Sequence, residues 1–312
     1  MQNNKVDYII VGQGLAGSAF AWQCMFRQKK ILMINKPDDR ASTLVAAGLF
    51  NPITGHKLKK TWQADILFPY LKKFYQQVEQ ITGAHFLHAM PLYRPFASVE
   101  EQNEWMGKSA DSAYTAYIKY LHTMPTVDGV NDKHGGMYIE HGGYVQTTAY
   151  IAATRRYIQQ HEQLLAEDFV SDALVIDNDH VRYRDVTADK IIFCEGVQVI
   201  SNKWFSWVPV VPLKGETITI ETPYEPSRVI NHGVYIVPSG MAHQLRVGAT
   251  YNAADKSAAP TAAGLQYLTD KLNAAVNFSY RIMAHDWAMR PTSRDRRPIA
   301  GLHPQHKALA IF

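Results

Sequence analysis

A glycine-rich motif near the N-terminus has the residue types and the spacing that bind a diphosphate. Gly12, Gly14 and Gly17 form a GxGxxG pattern directly after the apolar run at residues 6–11. The first glycine permits a tight turn, the second lets the backbone approach phosphate oxygens, and the third lets helix and strand pack closely. The motif therefore predicts a site for a dinucleotide cofactor.

The sequence around this motif predicts the elements that would position it. A strand, a helix and a second strand are expected in that order, at residues 6–11, about 15–28 and 31–34, which is the order of a βαβ unit. The amides of Leu15 and Ala16 then lie at the positive end of the helix, where phosphates bind.

Asn35 and Lys36 follow the second strand, where this type of unit usually carries a carboxylate for the adenosine ribose. An amide oxygen can accept one ribose hydroxyl, but it lacks the charge that repels an additional phosphate. With Lys36 beside it, the position also admits a 2′-phosphorylated nicotinamide cofactor. These two residues therefore leave the identity of the dinucleotide open.

The composition indicates a large folded chain with little excess charge. The chain has 312 residues, 46% of them hydrophobic, and a net charge of +4 from 32 basic and 28 acidic side chains. This length suits two domains or one large doubly wound fold. The small charge excess does not favour a nucleic-acid partner.

The cysteines indicate the cellular compartment of the protein, and the histidines bear on whether it has a metal site. Cys24 and Cys194 lie among apolar residues, which indicates core thiols in a reducing cytoplasm. We expect a cytoplasmic protein without a signal peptide or membrane insertion, and the oligomeric state stays open. The histidine spacings include no HExxH pattern, so no metal site is expected.

Alternating apolar and polar residues later in the chain indicate a second sheet. The clearest runs are at 217–222, 234–237 and 244–247, and such alternation is typical of antiparallel strands. The expected fold class is therefore α/β: a doubly wound, Rossmann-like domain with an inserted mixed or antiparallel-sheet substrate domain. The expected ranges are 1–83, 135–212 and 285–312 for the first domain, and 84–134 and 213–284 for the second.

Further motifs occur in a combination that resembles a known family. The apolar strand at 188–193 leads to Cys194 and Gly196, where a doubly wound sheet again brings backbone near the cofactor. The other motifs are Ala46-Ala47-Gly48-Leu49, Gly142-Gly143-Tyr144-Val145 and a run at 287–301. With the opening glycine loop, this set resembles the D-amino-acid oxidase family of FAD-dependent enzymes, particularly its glycine oxidase and sarcosine oxidase branch. The resemblance extends from the N-terminus to about residue 303, with a poorly matching stretch at about 84–134.

The resemblance implies non-covalently bound FAD, so that the first domain would be the FAD-binding domain. It places one loop beside the flavin ring and lets a later strand meet the adenine through backbone atoms. The residues assigned in this way are Ser42, Thr43, Ala46, Ala47 and Gly48 for the loop, and Phe169 or Val170 for the adenine. His56 receives no role as a flavin tether, because its surroundings do not match the motif of relatives that use histidine.

The resemblance also implies two substrate-binding residues. Arg290 matches an arginine that holds the substrate carboxylate, for which a planar guanidinium is suited, and Tyr235 resembles a tyrosine that donates a second hydrogen bond. The alternatives are that Arg290 pairs with Asp295 and that Tyr235 packs within its strand. The implied reaction is hydride transfer from a small amino acid or an N-alkyl glycine to the flavin, which needs no general base.

The family continues beyond the position of Phe312 into a third glycine-rich loop and a helix. We therefore expect a form truncated at the C-terminus, in which FAD is bound weakly or is absent.

Two other functions are compatible with these observations. Basic clusters at 57–60, 155–156 and 294–297 would suit a tRNA-modifying FAD-dependent amine oxidase if they shared one surface. A flavin-fold protein that binds a ligand or partner without turnover is the second alternative.

Overall fold

A computed structural model describes residues 4–37, 41–54, 59–177 and 179–312 of the chain. The elements of the first half are, in chain order, β1 Lys5–Val11, α1 Leu15–Met25, β2 Ile31–Ile34, α2 Ser42–Val45, β3 Leu49–Phe50, β4 Ile53–Thr54, β5 Lys59–Lys60, α3 Ala64–Thr82, β6 Leu87–Ala89, β7 Leu92–Pro95, α4 Val99–Lys108, β8 Ile118–His122, β9 Gly136–Ile139, β10 Gly143–Val145 and α5 Thr147–Gln160. Those of the second half are β11 Leu164–Leu165, β12 Leu174–Ile176, β13 Val181–Tyr183, β14 Val186–Phe193, β15 Val210–Glu221, β16 Val229–His232, β17 Val234–Pro238, β18 Gln244–Gly248, α6 Ala262–Ala275, β19 Arg281–Ser293, β20 Gly301–Leu302 and β21 Leu309–Ile311.

The chain divides into two units, each assembled from separate segments. Unit 1 consists of Met1–Leu44, Thr148–Leu213 and Ala288–Phe312, and unit 2 of Val45–Thr147 and Lys214–Trp287. This division differs from the expected domain ranges mainly at residues 45–83 and 135–147, which lie in unit 2, and by one to three residues at 213 and 285–287. The strands explain the difference, because β3 and β6 both pair with β10.

The main sheet of unit 1 is the doubly wound sheet that the sequence predicts. Its strand order is β11-β2-β1-β14-β13-β12, with β21 also paired to β14. β1 is parallel to both β2 and β14, and β21 is parallel to the end of β14. Parallel neighbours joined by a crossover helix are the basis of a doubly wound fold. The α/β fold class is confirmed.

The core of unit 1 holds α1 firmly in place. Ile9 and Ile10 are both fully buried, on opposite faces of the sheet, as successive residues of a strand must be. Ile10 belongs to the cluster that includes Cys24 of α1. The indole nitrogen of Trp22, also on α1, donates to Thr154 Oγ1 of α5 over 2.9 Å. The glycine turn that precedes α1 therefore has a rigid support.

Unit 2 is built on an eight-stranded sheet with order β19-β15-β18-β17-β16-β7-β9-β8. Ile218, Ile236 and Val247 pack in one buried cluster with Leu268 and Leu272 of α6. Because neighbouring strand residues alternate in direction, residues 217, 235 and 246 lie on the other face. This second face carries the candidate substrate residue of unit 2.

A buried ion-pair cluster lies where β15 enters unit 2. The Lys214 side chain is fully buried, and its Nζ lies 2.7 Å from Asp255 Oδ2, 2.7 Å from Ser257 Oγ and 3.7 Å from Glu216 Oε1. Glu216 in turn lies 2.8 Å from His285 Nε2 on β19. The lysine is well paired, which a buried charge requires.

Candidate functional site

The glycine turn between β1 and α1 has the close approaches that a diphosphate cradle needs. Gly12 has φ +98°, and a Cβ there would lie 2.5 Å from the carbonyl oxygen of Cys194. A Cβ on Gly17 would lie 1.9 Å from the carbonyl oxygen of Gly12. Only glycine satisfies both positions, because any side chain would overlap the neighbouring backbone. The turn therefore fits the diphosphate of a dinucleotide.

Gly14 and the first residues of α1 supply donors beside this cradle. Gly14 is the N-cap of the helix, without a side-chain cap, and the first N–H groups of any helix have no intrahelical acceptor. The Leu15 amide donates to Thr43 Oγ1 over 3.2 Å. Thr43, the second residue of α2 after Ser42, therefore contacts the start of α1. Ala16 is the next residue in the first turn of α1. A phosphate bound here would share or displace the Thr43 contact.

Asn35 and Lys36 differ in how they relate to this turn. The side-chain oxygen of Asn35 accepts a hydrogen bond from the Gln13 amide over 2.9 Å, so it also braces the glycine motif. Lys36 lies outside the turn and pairs with Asp168 over 2.9 Å, and this hydrogen bond raises the pKa of Lys36. Asn35 therefore has a structural contact that the sequence analysis did not foresee.

Gln13 is a residue of the site that the sequence analysis missed. It is 6% exposed, and its side chain accepts from Arg155 Nη1 over 3.0 Å and donates to the Ile151 carbonyl over 3.3 Å. Both partners belong to α5, so the glycine turn is fastened to a second helix. The sequence feature that could have identified it is a polar residue, Gln13, between the first two glycines of the motif.

The end of β14 lies against the turn, as a doubly wound sheet requires. Cys194 donates its amide to the Val11 carbonyl over 2.8 Å, and burial raises the pKa of its thiol. The Cys194 side chain belongs to the buried cluster that includes Ile10 and Cys24, so any cofactor contact at Cys194 would come from its backbone. Gly196 opens a 3₁₀ turn after Glu195, whose carboxyl has a raised pKa because of burial and accepts from Asn202 over 2.6 Å.

Phe169 and Val170 lie outside any strand, between β11 and a 3₁₀ turn that begins at Ser171, so the expectation that a strand carries them was wrong. The Phe169 ring centroid is 5.5 Å from that of Phe193, the last residue of β14, which places Phe169 toward the end of the sheet that carries the glycine turn. The Phe169 ring stacks on Tyr183 with centroids 5.2 Å apart. The Val170 amide donates to the Tyr183 hydroxyl over 3.2 Å, and its carbonyl accepts from Ala173 over 3.0 Å. An adenine that met the Val170 backbone would have to share these bonds.

Ala46, Ala47 and Gly48 form a braced segment of unit 2. The Gly48 carbonyl accepts from the Val145 amide over 3.0 Å. Gly48 has φ +64°, and a Cβ there would lie 1.9 Å from the Val145 carbonyl oxygen, so only glycine fits against β10. The Ala46 carbonyl accepts from Thr147 Oγ1 over 3.3 Å.

Tyr235 lies on the sheet face of unit 2 that is opposite α6. It pairs with Gly248 on the next strand, and a Cβ on Gly248 would lie 2.6 Å from the Tyr235 hydroxyl oxygen and 2.9 Å from Thr217 Cγ2. Gly248 thus gives the phenol ring its space. The sequence analysis missed this glycine, since it ends an alternating strand without a turn motif.

Arg290 lies near the end of β19 and is half-buried. Asp295, its alternative partner, accepts from Ser293 Oγ over 3.3 Å and from the Arg297 amide over 3.0 Å, and the bond from Arg297 lowers its pKa. Arg290 belongs to unit 1 and Tyr235 to unit 2. Their joint role in substrate binding stays a prediction.

Unit 1 thus brings together Gly12, Gly14, Leu15, Gly17, Asn35, Thr43 and Cys194 through the contacts above. His56 and part of the basic cluster at 57–60 lie outside the described residues. Among the other basic residues, Lys60 pairs with Asp65 and Arg297 with Asp295. Within the described ranges, no group of three His, Cys, Asp or Glu side chains is placed to hold a metal ion, and none of the helices is long and apolar enough to cross a membrane.

Comparison with known proteins connects this geometry to a family. The model of the DAO family, described as FAD dependent oxidoreductase, matches residues 7–311. The bifunctional protein ThiO/ThiG of Synechocystis sp. is 23% identical in an alignment 328 residues long that covers 96% of this chain. The chain spans 47% of the length of that relative.

Two solved structures share the fold. Glycine oxidase from Geobacillus kaustophilus superposes with a TM-score of 0.80 at 18% identity, covering 99% of this chain and 88% of that one. Iminodiacetate oxidase from Chelativorans sp. BNC1 has a TM-score of 0.75 at 18% identity, covering 97% and 88%.

Proposed function

Because the chain belongs to the DAO family of FAD-dependent oxidoreductases, we propose that it oxidises the C–N bond of a small amine-bearing carboxylic acid. The substrate class is an amino acid or an N-alkyl glycine. The observation that carries the proposal is the glycine turn of unit 1, where a Cβ on Gly12 or Gly17 would overlap backbone oxygens at 2.5 Å and 1.9 Å. Such a turn serves a dinucleotide diphosphate rather than side-chain packing.

We propose that FAD is held non-covalently by the amides that follow Gly14 and by the side chains around them. Thr43 and Asn35 reach this turn by hydrogen bonds. The 46–48 segment and the backbone of Phe169 or Val170 are assigned to the ring and the adenine. When bound, FAD supplies the acceptor for a hydride from the carbon next to nitrogen. The imine product hydrolyses in water.

Arg290 and Tyr235 are proposed to orient the substrate. A guanidinium can hold a carboxylate through two parallel hydrogen bonds, and a phenol can donate a third. The space above Gly248 supports this role for Tyr235, because a glycine there lets the phenol lie across the sheet. The names of the two similar structures, glycine oxidase and iminodiacetate oxidase, support an amine-bearing acid as substrate.

The test is anaerobic reduction of the FAD-loaded protein. Glycine, N-methylglycine, iminodiacetate and D-alanine are added in turn, with the hydroxy acid lactate as a control, and the visible flavin absorption is followed. Bleaching by an amine-bearing acid but not by lactate is the expected result. A protein that binds FAD and is bleached by none of the amines would refute the substrate class.

A pair of arginine variants tests the assigned substrate residue. Arg290→Lys keeps the charge but loses the planar fork, so KM should rise about tenfold or more, since one hydrogen bond to a charged group contributes about 1.5–3 kcal/mol. Arg294→Lys, at an exposed position in the same unit, is the matched control and should leave KM unchanged. Equal KM values in the two variants would remove Arg290 from the site.

The proposed location is the cytoplasm. Cys24 and Cys194 are both free thiols in the structure, and free buried thiols are usual in a reducing compartment.

A further inference from the structure

Arg246 makes a contact that the proposed reaction does not yet explain. It lies on β18 between Val237 on one neighbouring strand and Thr219 on the other. Its neighbours Leu245 and Val247 are buried on the α6 side, so Arg246 is directed to the opposite face. This is the face that also carries Tyr235.

The guanidinium of Arg246 binds the backbone of a segment about 200 residues earlier in the chain. Its Nη1 donates to the carbonyl oxygens of Val45 and Ala46, over 3.2 Å in each case. Val45 is the last residue of α2, and the last carbonyls of a helix have no intrahelical donor. A cationic side chain at this end is favourable as a hydrogen-bond donor to these carbonyls.

This contact fixes the direction of a neighbouring amide. The Ala46 carbonyl and the Ala47 N–H belong to one planar trans peptide, in which the two groups point in opposite directions. Because Arg246 and Thr147 hold the Ala46 carbonyl, the Ala47 N–H points away from them. One residue later, the Val145 amide holds the Gly48 carbonyl. Ala47 therefore lies between two carbonyl groups, those of Ala46 and Gly48, that are both held by hydrogen bonds.

We propose that Arg246 is a positioning residue for the flavin: it holds the 45–48 segment so that the Ala47 amide faces the cofactor. The inference rests on the proposed function, which assigns this segment to the flavin ring. Arginine is suited to the task, because one terminal nitrogen carries two hydrogens and can serve both carbonyls.

Three variants test the proposal. Arg246→Met removes both hydrogen bonds, whereas Arg246→Lys keeps the charge with a shorter reach. Arg281→Gln is the matched control, because it removes one positive charge from the same sheet at an exposed position paired with Glu221. Circular dichroism establishes that each variant is folded.

The first measurement needs no FAD. Deuterium uptake by the peptide at 143–147 reports the bond from the Val145 amide to Gly48. Arg246→Met should speed this exchange about tenfold, Arg246→Lys less, and Arg281→Gln should resemble the wild type. Unchanged exchange in Arg246→Met would overturn the proposed brace.

The second measurement is the FAD dissociation constant, by quenching of flavin fluorescence, together with the visible spectrum of the bound flavin. Arg246→Met should raise the constant about tenfold and alter the spectrum, with partial recovery in Arg246→Lys. Faster exchange with an unchanged constant and spectrum would overturn the role toward the flavin. A wild-type protein whose bound flavin is bleached by no amine-bearing acid would refute the proposed function itself, and the exchange result would still decide whether Arg246 holds the segment.

Discussion

Replacement of Gly17 by alanine should destabilise unit 1 and weaken FAD binding together. The added Cβ would lie 1.9 Å from the Gly12 carbonyl oxygen, whereas carbon and oxygen in close regular contacts are about 3.3 Å apart. The turn and the start of α1 must then separate by more than an ångström. Overpacking costs about 1–3 kcal/mol, and because the obstacle is backbone we expect about 3 kcal/mol.

Two other glycines provide controls for this substitution. Gly301 lies in the same unit with nothing within 4 Å of an added Cβ, so Gly301→Ala should change stability by less than about 0.5 kcal/mol. Gly83 also has open space but has φ +67°, so Gly83→Ala should cost about 1 kcal/mol from its backbone conformation alone. Neither control should change the affinity for FAD.

The assay is urea unfolding followed by tryptophan fluorescence, to which Trp22 on α1 contributes, together with titration of flavin fluorescence. Gly17→Ala should unfold at lower urea than either control and raise the FAD dissociation constant at least tenfold. If Gly17→Ala matched Gly301→Ala in both measurements, the close approach of helix and turn would be absent and the reasoning about the cradle would fail.

Three further outcomes are expected. Lys214→Met should lower the free energy of unfolding by about 3–5 kcal/mol in urea titrations, because it leaves the buried carboxylate of Glu216 without its cation. Hydrogen bonds from Lys214 and Ser257 lower the pKa of Asp255 to about 2, so these contacts stabilise the fold at pH values above the ordinary carboxyl pKa near 4, and their contribution is lost as pH falls to about 2. The stability difference between wild type and Asp255→Asn should therefore shrink over that interval in acid-unfolding curves. Asn35→Ala should raise the FAD dissociation constant severalfold by freeing the Gln13 amide, while Lys36→Met leaves it unchanged in the same titration.

The elements around the glycine turn could be predicted because their signals are local. The apolar run, the glycine spacing and the second apolar run placed β1, α1 and β2, although the helix ends at Met25 rather than near residue 28. The strands at 217–222, 234–237 and 244–247 were predicted from alternation, and β15, β17 and β18 contain them, except for the last residue of the first run.

The contacts that complete the candidate site join residues far apart in sequence, and no local pattern encodes them. Arg246 and Ala46 are 200 residues apart, and Arg155 and Gln13 are 142 apart. In the sequence, Arg155 belonged to a basic cluster, whereas in the structure it fastens the glycine motif. Likewise, nothing in the sequence around Val170 indicates that its backbone N–H and its carbonyl both have hydrogen-bond partners within the protein.

The parallel pairing of β1 with β14 has a consequence for synthesis of the chain on the ribosome. Lys5 pairs with Thr187, so β1 waits for a partner that is made about 180 residues later. At roughly 5–20 residues per second, this delay is about 10–40 s. During that interval the edge of β1, with Ile9 and Ile10, is an unprotected template for association with other nascent chains. Cotranslational chaperones would therefore have their strongest effect on this protein before residue 193 has emerged.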